Sequence, residues 1–290
     1  MLNPIVINPH GFCSGVMNAV RVAKKILDDN PGEKVYSLHQ LVHNEMVVDE
    51  LAQRGMVSVE SIDEIPDGSL VLFSAHGVSP EIRKRAAEKK LKITDTTCPF
   101  VSRIHREVCD AVLTNKKVIV VGDSSHAEVK GVTGEVVELG GEFSVINTCE
   151  DVDSIGWEKT SEIRVVVQTT LSEEEVVNLL AAIKKRFPNS ETSAASSVCT
   201  ATRDRQKAVR DFISLGKQEG KKTGVLVLGS PNSANTKRLA KITEEKGGVA
   251  WLAGTLEEVQ KIDFSQVEKL GITAGASTPE TLINEVFSNF

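Results

Sequence analysis

The chain alternates between two hydrophobic patterns. Short apolar runs rich in Val, Ile and Leu, such as KVIVVGD at 117–123 and GVLVLGS at 224–230, have the length and composition of buried strands. Between many of them lie amphipathic stretches such as SEEEVVNLLAAIKKRF, in which helix-starting residues precede apolar positions spaced three and four apart. The other runs with a strand pattern are PIVIN, KVYSL, SLVLFSA, LKITD, FSVIN, IRVVVQT and LGITAG. Repeated strand–helix units predict an α/β protein with mostly parallel sheets.

Three cysteines occur in one repeated context. Cys13, Cys98 and Cys199 each follow an extended segment and a few small polar residues, and a helical pattern begins directly after each of them. Cys98 lies 85 residues after Cys13, and Cys199 lies 101 residues after Cys98. This spacing predicts three small α/β units in a pseudo-threefold arrangement, with the cysteines near its axis. We expect lobes at 14–97, 98–195 and 196–280, with the N-terminal strand 1–13 and the tail 281–290 packed against them.

Composition and charge narrow the functional classes. The chain has 290 residues, of which 40% are hydrophobic and 26% charged, as in ordinary globular proteins. A formal net charge of −6 argues against nucleic acid or an anionic membrane as the main partner. There is no apolar run of bilayer-spanning length and no pattern of a secretory signal peptide. We therefore expect a cytoplasmic protein.

The cysteine contexts favour ligands or catalytic groups over disulfides, because disulfides are rare in the cytosol. Free N–H groups at a helix N-terminus favour a thiolate. Three thiolates that converge need a positive partner: a [4Fe–4S] cluster with one iron left open, or zinc with three Cys and one His. The absence of C-x-x-C weakens zinc-ribbon and thioredoxin-like interpretations. Three half-buried core thiols are the remaining alternative, and we interpret Cys109 and Cys149 as structural small hydrophobes.

Polar residues follow many of the predicted strands, at the edge where α/β folds bind ligands. Neutral donors near several helix N-termini suit a phosphate or diphosphate, although no Walker A or G-x-G-x-x-G pattern is present. Each residue taken alone has a plainer interpretation, as a helix N-cap or a structural histidine. His10, His39 and His105 lack this placement, and we interpret them as structural or surface residues. The candidates are His43, His76, His126, Thr169, Thr170, Ser233, Asn235 and Ser277.

Glu128 lies two residues after His126 in SSHAEVKG. A carboxyl group beside an imidazole in a closed, dry cavity donates a proton if its pKa is raised. The alternative is an acidic residue in the first turn of a helix that only complements the helix dipole.

Taken together, these motifs resemble the 4-hydroxy-3-methylbut-2-enyl diphosphate reductase family, the last step of the methylerythritol phosphate route to isoprenoids. The resemblance covers nearly the whole chain and is specific, because all three cysteines and every polar segment fall in register. The motifs in order are GFCSGV, VHNEMVVD, FSAHGVSP, DTTCPFV, SHAEVKGVTGE, QTTLS, SVCTATRDRQ, NSANTKRL and TAGASTPE.

The resemblance implies a three-lobed α/β trefoil around a central cavity and the role of each site residue. Cys13, Cys98 and Cys199 would hold a [4Fe–4S] cluster whose open iron binds the allylic hydroxyl of the substrate. His126, Thr169 and Glu128 would organise that hydroxyl and deliver its proton. Two electrons and two protons would remove it as water and give isopentenyl and dimethylallyl diphosphate. The residues implied to bind the diphosphate are His43, His76, Ser233, Asn235 and Ser277.

A few positions depart from the family pattern. His10 stands where Arg is common before Gly-Phe-Cys, and Ala234 stands where the family has a second serine. Asp123, Ser125 and Ala127 replace His, Gly and Pro in Gly-His-x-Gly-His-Pro-Glu. Because a backbone N–H at position 234 can still donate, we expect weaker diphosphate binding at most, and an active enzyme.

Two rival functions stay open at this point. A zinc-dependent or thiol-based enzyme on the same fold predicts a colourless protein that binds zinc. A phosphate-binding or cluster-sensing regulator predicts that Glu128 is dispensable. The family also implies a small acidic electron carrier such as ferredoxin or flavodoxin as the partner, for which KKRF and RDRQK are weak candidate basic segments.

Overall fold

A computed structural model describes residues 3–192 and 198–290 of the chain. The chain divides into two compact units. The terminal unit comprises Met1–Met17, Val42–Leu51 and Thr200–Phe290, and the central unit comprises Asn18–Leu41 and Ala52–Cys199. The boundary predicted at 195/196 lies outside the described residues, and the lobe boundaries stay a prediction.

Strands and helices alternate along the described chain. The strands are β1 (Ile5–Val6), β2 (Val35–Leu38), β3 (Met56–Val59), β4 (Leu70–Phe73), β5 (Lys92–Asp95), β6 (Lys117–Val121), β7 (Phe143–Ile146), β8 (Ile163–Val167), β9 (Ser190–Thr192), β10 (Thr223–Leu228), β11 (Val249–Ala253) and β12 (Lys269–Ala274). The helices are α1 (Ser14–Asp29), α2 (Glu45–Gln53), α3 (Pro80–Glu88), α4 (Pro99–Leu113), α5 (Ala127–Glu138), α6 (Cys149–Ser154), α7 (Glu173–Arg186), α8 (Thr200–Gln218), α9 (Ala234–Glu245), α10 (Leu256–Gln260) and α11 (Glu280–Phe287), with a short 3₁₀ helix at Ile62–Glu64.

The terminal unit contains one parallel four-stranded sheet in the order β1-β12-β10-β11. Its two inner strands, β10 and β12, are buried along their whole length. Val209, Phe212 and Ile213 of α8 pack in one apolar cluster with strand residues, and Leu282 and Ile283 of α11 pack in another. Helices thus contribute to two cores, as continuous apolar strands of a parallel sheet require.

The central unit contains two further parallel four-stranded sheets, in the orders β3-β2-β4-β5 and β7-β6-β8-β9. In the second of these, Val121 and Val167 pack in one cluster with Ile183 of α7, while Val120 packs in another with Ile104 of α4. Three parallel sheets with their helices confirm the predicted α/β class and the three small α/β units.

All nine strands predicted from the hydrophobic pattern are present, and among the described residues three further strands were missed. The missed strands, β3, β9 and β11, each lie at an edge of a sheet. Edge position alone does not explain why they were missed, because β1, β5 and β7 are also edge strands and were predicted. For β9 the reason is its composition, since it reads Ser-Glu-Thr with two exposed residues. Within the described ranges, no helix is both long and apolar enough to cross a membrane.

The topology places the candidate residues at one kind of position. In a parallel sheet all the strands end on the same side, and there the chain turns into the next helix. Every candidate follows the carboxyl end of a strand: Cys13 after β1, His43 after β2, His76 after β4, Cys98 after β5, His126 and Glu128 after β6, Thr169 after β8, Cys199 after β9, Ser233 and Asn235 after β10, and Ser277 after β12.

Candidate active site

The candidate residues are divided between the two units. The terminal unit holds Cys13, His43, Ser233, Asn235 and Ser277. The central unit holds His76, Cys98, His126, Glu128, Thr169 and Cys199.

The three cysteines of the repeated context lie at helix N-termini. Cys13 immediately precedes α1, Cys98 is the N-cap of α4, and Cys199 immediately precedes α8. All three are partly buried, and none of the chain's cysteines forms a disulfide. Cys109 is partly buried inside α4, in keeping with a structural thiol, whereas Cys149 is exposed at the start of α6. Cys149 is therefore a surface residue, and its interpretation as a packed hydrophobe was wrong.

A tight turn holds Cys13. Gly11 adopts a φ of +68°, a left-handed conformation that favours glycine. The guanidinium of Arg205, a residue only 4% exposed, donates to the carbonyl oxygen of Gly11 at 2.7 Å. The N–H of Cys13 donates to the carbonyl of Ala276 at 3.1 Å, and the N–H of Val16 lies 3.5 Å from Cys13 Sγ. The Cys13 sulfur is thus held at the N-terminus of α1, with the N–H of Val16 directed at it.

Glu128 is a buried carboxyl group whose two oxygens both accept hydrogen bonds from Thr169. Its side chain is in the first turn of α5 and is 2% exposed. The N–H of Thr169 donates to Oε1 at 2.8 Å, and the hydroxyl of Thr169 donates to Oε2 at 2.8 Å. Burial raises the pKa of Glu128 to about 7, although the two Thr169 bonds lower it. A carboxyl group with this pKa is matched to proton transfer near neutral pH.

The imidazole of His126 is oriented by the same helix. His126 is the N-cap of α5, and its Nδ1 accepts a hydrogen bond from the N–H of Glu128 at 3.2 Å. A neutral ring in this arrangement carries its proton on Nε2. The ring of His76 meets His126 edge to face with centroids 5.5 Å apart, and Ser74 Oγ lies 3.2 Å from His76 Nδ1. The central unit therefore brings His76, His126, Glu128 and Thr169 into one connected group.

The turn before His126 accounts for two departures from the family pattern. The carboxylate of Asp123 accepts hydrogen bonds from both the N–H and the hydroxyl of Ser125, at 2.8 and 2.7 Å, which lowers the pKa of Asp123. Gln168 Oε1 accepts from the N–H of Asp123 at 2.9 Å, while its amide group donates to Thr170 Oγ1 at 2.9 Å. Asp123 and Ser125 thus support each other in forming this turn.

Thr169 also connects Glu128 to a cysteine. The N–H of Cys199 donates to the carbonyl oxygen of Thr169 at 3.4 Å. One residue therefore contacts the buried carboxyl group with its N–H and hydroxyl, and the backbone of Cys199 with its carbonyl. Residues 193–197, which include most of the small polar segment that precedes Cys199, lie outside the described residues.

The polar residues of the terminal unit have a different character. Ser233 is the N-cap of α9, and its Oγ accepts from the N–H of Thr236 at 3.4 Å. Asn235 is 4% exposed, and neither its amide nitrogen nor its oxygen has a hydrogen-bond partner within the described part of the chain. Ser277 Oγ donates to the carbonyl of His43 at 2.9 Å, which joins the segments that carry both residues. This region contains buried polar atoms that a ligand can satisfy.

Two supporting residues escaped the sequence analysis. Arg205 belongs to RDRQK, which the sequence suggests as a basic surface, yet its guanidinium is buried against the Cys13 turn. Gln168 precedes the candidate Thr169, and only the fold shows that its amide holds the turn before His126. The helical spacing in α8 could have placed Arg205 on the inner face with Val209 and Phe212; for Gln168 there was no signal.

Comparisons with known proteins agree over the whole length. The model of the LytB protein family matches residues 5–290. A 4-hydroxy-3-methylbut-2-enyl diphosphate reductase from Nitrosomonas europaea is 37% identical over 286 residues, which is 99% of this chain and 86% of that relative. A reductase of the same name from Acinetobacter baumannii is 38% identical over 284 residues, 97% of this chain and 87% of that relative.

Two solved structures share the fold. The E-1-hydroxy-2-methyl-but-2-enyl-4-diphosphate reductase from Plasmodium falciparum has a TM-score of 0.90 and 31% identity, covering 100% of this chain and 88% of that one. An (E)-4-hydroxy-3-methyl-but-2-enyl diphosphate reductase, described as the terminal enzyme of the non-mevalonate pathway, has a TM-score of 0.70 and 31% identity, covering 99% of this chain and 98% of that one. With a family match over nearly every residue and relatives that align end to end, the chain belongs to the LytB protein family.

Proposed function

We propose that this chain removes the allylic hydroxyl of (E)-4-hydroxy-3-methylbut-2-enyl diphosphate by reduction and so forms isopentenyl and dimethylallyl diphosphate. Its relatives of 37% and 38% identity bear the name of that reductase. The observation in this chain that carries the proposal is the buried Glu128, whose raised pKa and two hydrogen bonds from Thr169 suit a proton donor. A phosphate-binding regulator has no use for such a group.

The reaction fixes what the site must provide. The allylic C–O bond breaks, two electrons enter, one proton goes to the departing oxygen to make water, and one proton goes to an allylic carbon. Hydroxide is a poor leaving group, so protonation of the oxygen as the bond breaks is the step that general-acid catalysis accelerates. The electrons must come from a redox group, since amino acid side chains of this site do not supply them.

Cys13, Cys98 and Cys199 are the residues that would hold a [4Fe–4S] cluster. The donor set fits, because all three are partly buried thiols at helix N-termini, and the N–H of Val16 lies 3.5 Å from Cys13 Sγ. When bound, such a cluster supplies the electrons and a Lewis-acidic iron with an open coordination position. Zinc bound by the same thiols would supply the Lewis acid but no electrons.

Glu128 acts as the proton donor in this proposal. At neutral pH a carboxyl group of pKa about 7 is protonated in a large fraction of molecules, so it can give its proton to the departing oxygen. Thr169 fixes both carboxyl oxygens and limits the orientations that Glu128 can adopt. His126, with its proton on Nε2, donates a hydrogen bond that holds the substrate hydroxyl in place.

The diphosphate group is bound by neutral donors in the proposal. Asn235 offers an amide without a protein partner in the described chain, and hydrogen bonds to a phosphate oxygen would satisfy its nitrogen. Ser233 contributes as the N-cap of α9 and Ala234 contributes the backbone N–H of its first residue, where the helix dipole favours an anion. His43, His76 and Ser277 complete the proposed set.

The electron donor is proposed to be a small acidic carrier such as ferredoxin or flavodoxin. Of the two basic segments suggested by the sequence, RDRQK is unsuited, because Arg205 is buried and Lys207 forms an ion pair with Asp211 at 2.6 Å. In KKRF the guanidinium of Arg186 donates to the carbonyl oxygens of Ile155 and Trp157, which leaves the exposed Lys184 and Lys185 in the last turn of α7 as the stronger candidate.

The test is an activity assay on protein purified without oxygen and reconstituted with iron and sulfide. With a chemical reductant and the hydroxylated allylic diphosphate, we expect both isoprenoid diphosphates as products. Cys98→Ser is expected to lose the cluster and the activity, whereas Cys149→Ser, a matched change at an exposed cysteine, is expected to keep both. Product formation by zinc-loaded protein, or none by cluster-loaded protein, would contradict the proposal.

A further inference from the structure

A second buried carboxylate lies in the central unit, away from the groups described above. Glu135 of α5 is 8% exposed, and its Oε1 lies 2.8 Å from Nδ1 of His105 in α4. Arg83 of α3 forms an ion pair with the same oxygen. The thiol of Cys109 lies 3.7 Å from Oε2, and burial raises the pKa of Cys109, which keeps it a thiol. One carboxylate of α5 therefore binds groups from α3 and α4.

The positions of these residues follow a common spacing. His105 comes seven residues after Cys98, Glu135 comes seven residues after Glu128, and Arg83 comes seven residues after His76. Seven residues are about two turns of an α-helix, so residues at this spacing share a face. In α4, His105 therefore lies about two turns after Cys98 and on the same side of the helix. Glu135 has the same relation to Glu128 in α5.

The hydrogen bond from His105 has a fixed direction. Burial lowers the pKa of His105, and its Nε2 is a buried atom without a hydrogen-bond partner among the described residues. A charged ring would bury an N–H without an acceptor, which is costly. The neutral ring instead carries its proton on Nδ1 and donates it to the carboxylate of Glu135. This bond ties α4 to α5 in one geometry.

Three glycines allow the segments to approach this closely. A Cβ added at Gly77 would lie 3.1 Å from His105 Nε2, and one added at Gly131 would lie 3.2 Å from His105 Cε1. The imidazole therefore fits between the glycine that follows His76 and a glycine of α5. A Cβ at Gly134 would lie 2.5 Å from the Cβ of Ser79, the N-cap of α3.

We infer that the His105–Glu135–Arg83 cluster is a positioning device, which sets the placement of α3, α4 and α5. It thereby sets the placement of Cys98 and Glu128 at the N-terminal ends of α4 and α5, and of His76 in the turn that leads into α3. The inference rests on the proposed function for the roles of those three residues. Its members do not touch the substrate and act only through the helices that carry the site. It adds a role to His105 beyond that of a structural histidine.

The test compares two replacements of His105 in the full-length protein. His105→Asn places an amide N–H near the position of Nδ1–H and can keep the bond to Glu135, whereas His105→Leu fills the space without a donor. The first measurement is the titration of the Glu128 carboxyl by infrared difference spectroscopy, assigned by its loss in Glu128→Gln. The second is kcat and KM of the cluster-loaded protein. Cys109→Ser, which keeps a donor to Glu135, is the control.

We expect the Glu128 carboxyl to titrate near pH 7 in the parent protein, in His105→Asn and in Cys109→Ser. In His105→Leu we expect the midpoint to move toward that of an exposed glutamate, since displacement of α5 admits water. We expect kcat to fall about 10- to 100-fold in His105→Leu, the usual cost of losing a residue that orients a catalytic group, with His105→Asn restoring most of it.

Equal behaviour of the Leu and Asn variants, or an unchanged Glu128 titration in folded His105→Leu, would overturn the inference. If His105→Leu does not fold, Arg83→Met takes its place, because the Arg83 side chain is 42% exposed and its loss leaves the core packed. An unshifted Glu128 titration in Arg83→Met would then be decisive against the cluster. The infrared titration needs no cluster or turnover, so the inference is tested even if the proposed reductase activity fails.

Discussion

Glu128 in the central unit and Asn235 in the terminal unit are both buried polar residues in the first turn of a helix, yet they are satisfied in opposite ways. Both carboxyl oxygens of Glu128 accept hydrogen bonds from Thr169 at 2.8 Å. Both polar atoms of the Asn235 side chain are without a protein partner in the described ranges. Glu128 is thus hydrogen-bonded within the protein, whereas Asn235 keeps hydrogen-bonding capacity that the proposed diphosphate would use.

The difference corresponds to two proposed functions, proton transfer by Glu128 and diphosphate binding by Asn235. A group that transfers a proton needs a fixed orientation and a tuned pKa before the substrate arrives, and both come from neighbours in the protein. A group that binds a diphosphate must present unused hydrogen-bonding capacity. Leaving a buried polar group unsatisfied costs about 1–3 kcal/mol of folding free energy, which ligand binding recovers.

The largest effect is expected from Glu128→Gln, which keeps the shape and removes the transferable proton. We predict a fall in kcat of about 10²- to 10⁴-fold, the usual contribution of a general acid, with little change in KM. Glu138→Gln, an exposed position of the same helix, is the control. Steady-state kinetics of the two variants decide the point. A Glu128→Gln enzyme with nearly parental kcat would remove the proton donor from the mechanism.

The same variant is predicted to stabilise the protein at alkaline pH. The folded pKa of Glu128, about 7, lies above its ordinary value of 4.5, so the folded state binds more protons between these values and stability falls as pH rises through this window. Above pH 7 the charged, buried carboxylate costs about 3 kcal/mol. Denaturant unfolding at pH 8 should show Glu128→Gln as the more stable protein, and the difference should vanish near pH 4. A constant difference across this range would contradict the raised pKa.

Asn235→Leu is predicted to separate binding from stability. KM should rise about 10- to 100-fold, because a hydrogen bond to a charged phosphate is worth about 1.5–3 kcal/mol. The free energy of unfolding should stay equal or increase, since no protein hydrogen bond is lost within the described chain. Asn232→Leu, at an exposed position nearby, should change neither quantity. Marked destabilisation by Asn235→Leu would show that the amide is satisfied within the protein.

Thr169→Val removes one of the two hydrogen bonds to Glu128 and keeps the backbone one. Because the hydroxyl bond lowers the pKa of Glu128, its loss should raise that pKa further above about 7. Activity that needs the protonated acid falls as pH rises through this pKa, so the alkaline limb of the kcat profile should move to higher pH. Thr170→Val, whose hydroxyl interacts with Gln168, should leave the limb in place. An alkaline limb that moves to lower pH in Thr169→Val would contradict the conclusion that the Thr169 hydroxyl lowers the pKa of Glu128.

The smallest effect is expected from Ala234→Ser, which restores the hydroxyl that the family commonly has at this position. The backbone N–H at position 234 already donates to the diphosphate in the proposal, so the added hydroxyl is a second donor from one residue and is expected to contribute less than the Asn235 amide, about 0.5–1.5 kcal/mol. KM should therefore fall about 2- to 10-fold while kcat stays the same. Steady-state kinetics at fixed reductant concentration measures it. A higher KM would mean that Ala234 is accommodated by a rearranged first turn of α9.

The sequence was sufficient for the inner strands. It also supplied the candidate site residues, which stay a prediction. Buried strands such as β10 and β12 are apolar along most of their length, and this pattern is local. Glu128 is a candidate from the sequence because it follows His126 in a short motif. Of the edge strands, β1, β5 and β7 were predicted, and β3, β9 and β11 were missed. β9 has no apolar run to signal it, because it reads Ser-Glu-Thr with two exposed residues.

A local sequence pattern could not predict contacts between segments that are distant along the chain. Thr169 and Glu128 are 41 residues apart, and only the pairing of β6 with β8 places them together. Arg205 looks like a surface cation in RDRQK, but it is buried because the Cys13 turn, 194 residues earlier at Gly11, offers it a carbonyl oxygen. The cluster of His105, Glu135 and Arg83 needs three helices to be placed at once, which no single stretch of sequence specifies.

The most direct test of the account is the Mössbauer spectrum of the anaerobically reconstituted protein with and without the hydroxylated allylic diphosphate. If Cys13, Cys98 and Cys199 are the only protein ligands of a four-iron cluster, one iron differs from the other three, and its signal shifts when the substrate is added. We predict that single shifting iron. Failure to assemble a four-iron cluster, or four irons that the substrate leaves unchanged, would contradict the proposed reductase and leave zinc or structural thiols as the explanation for the three cysteines.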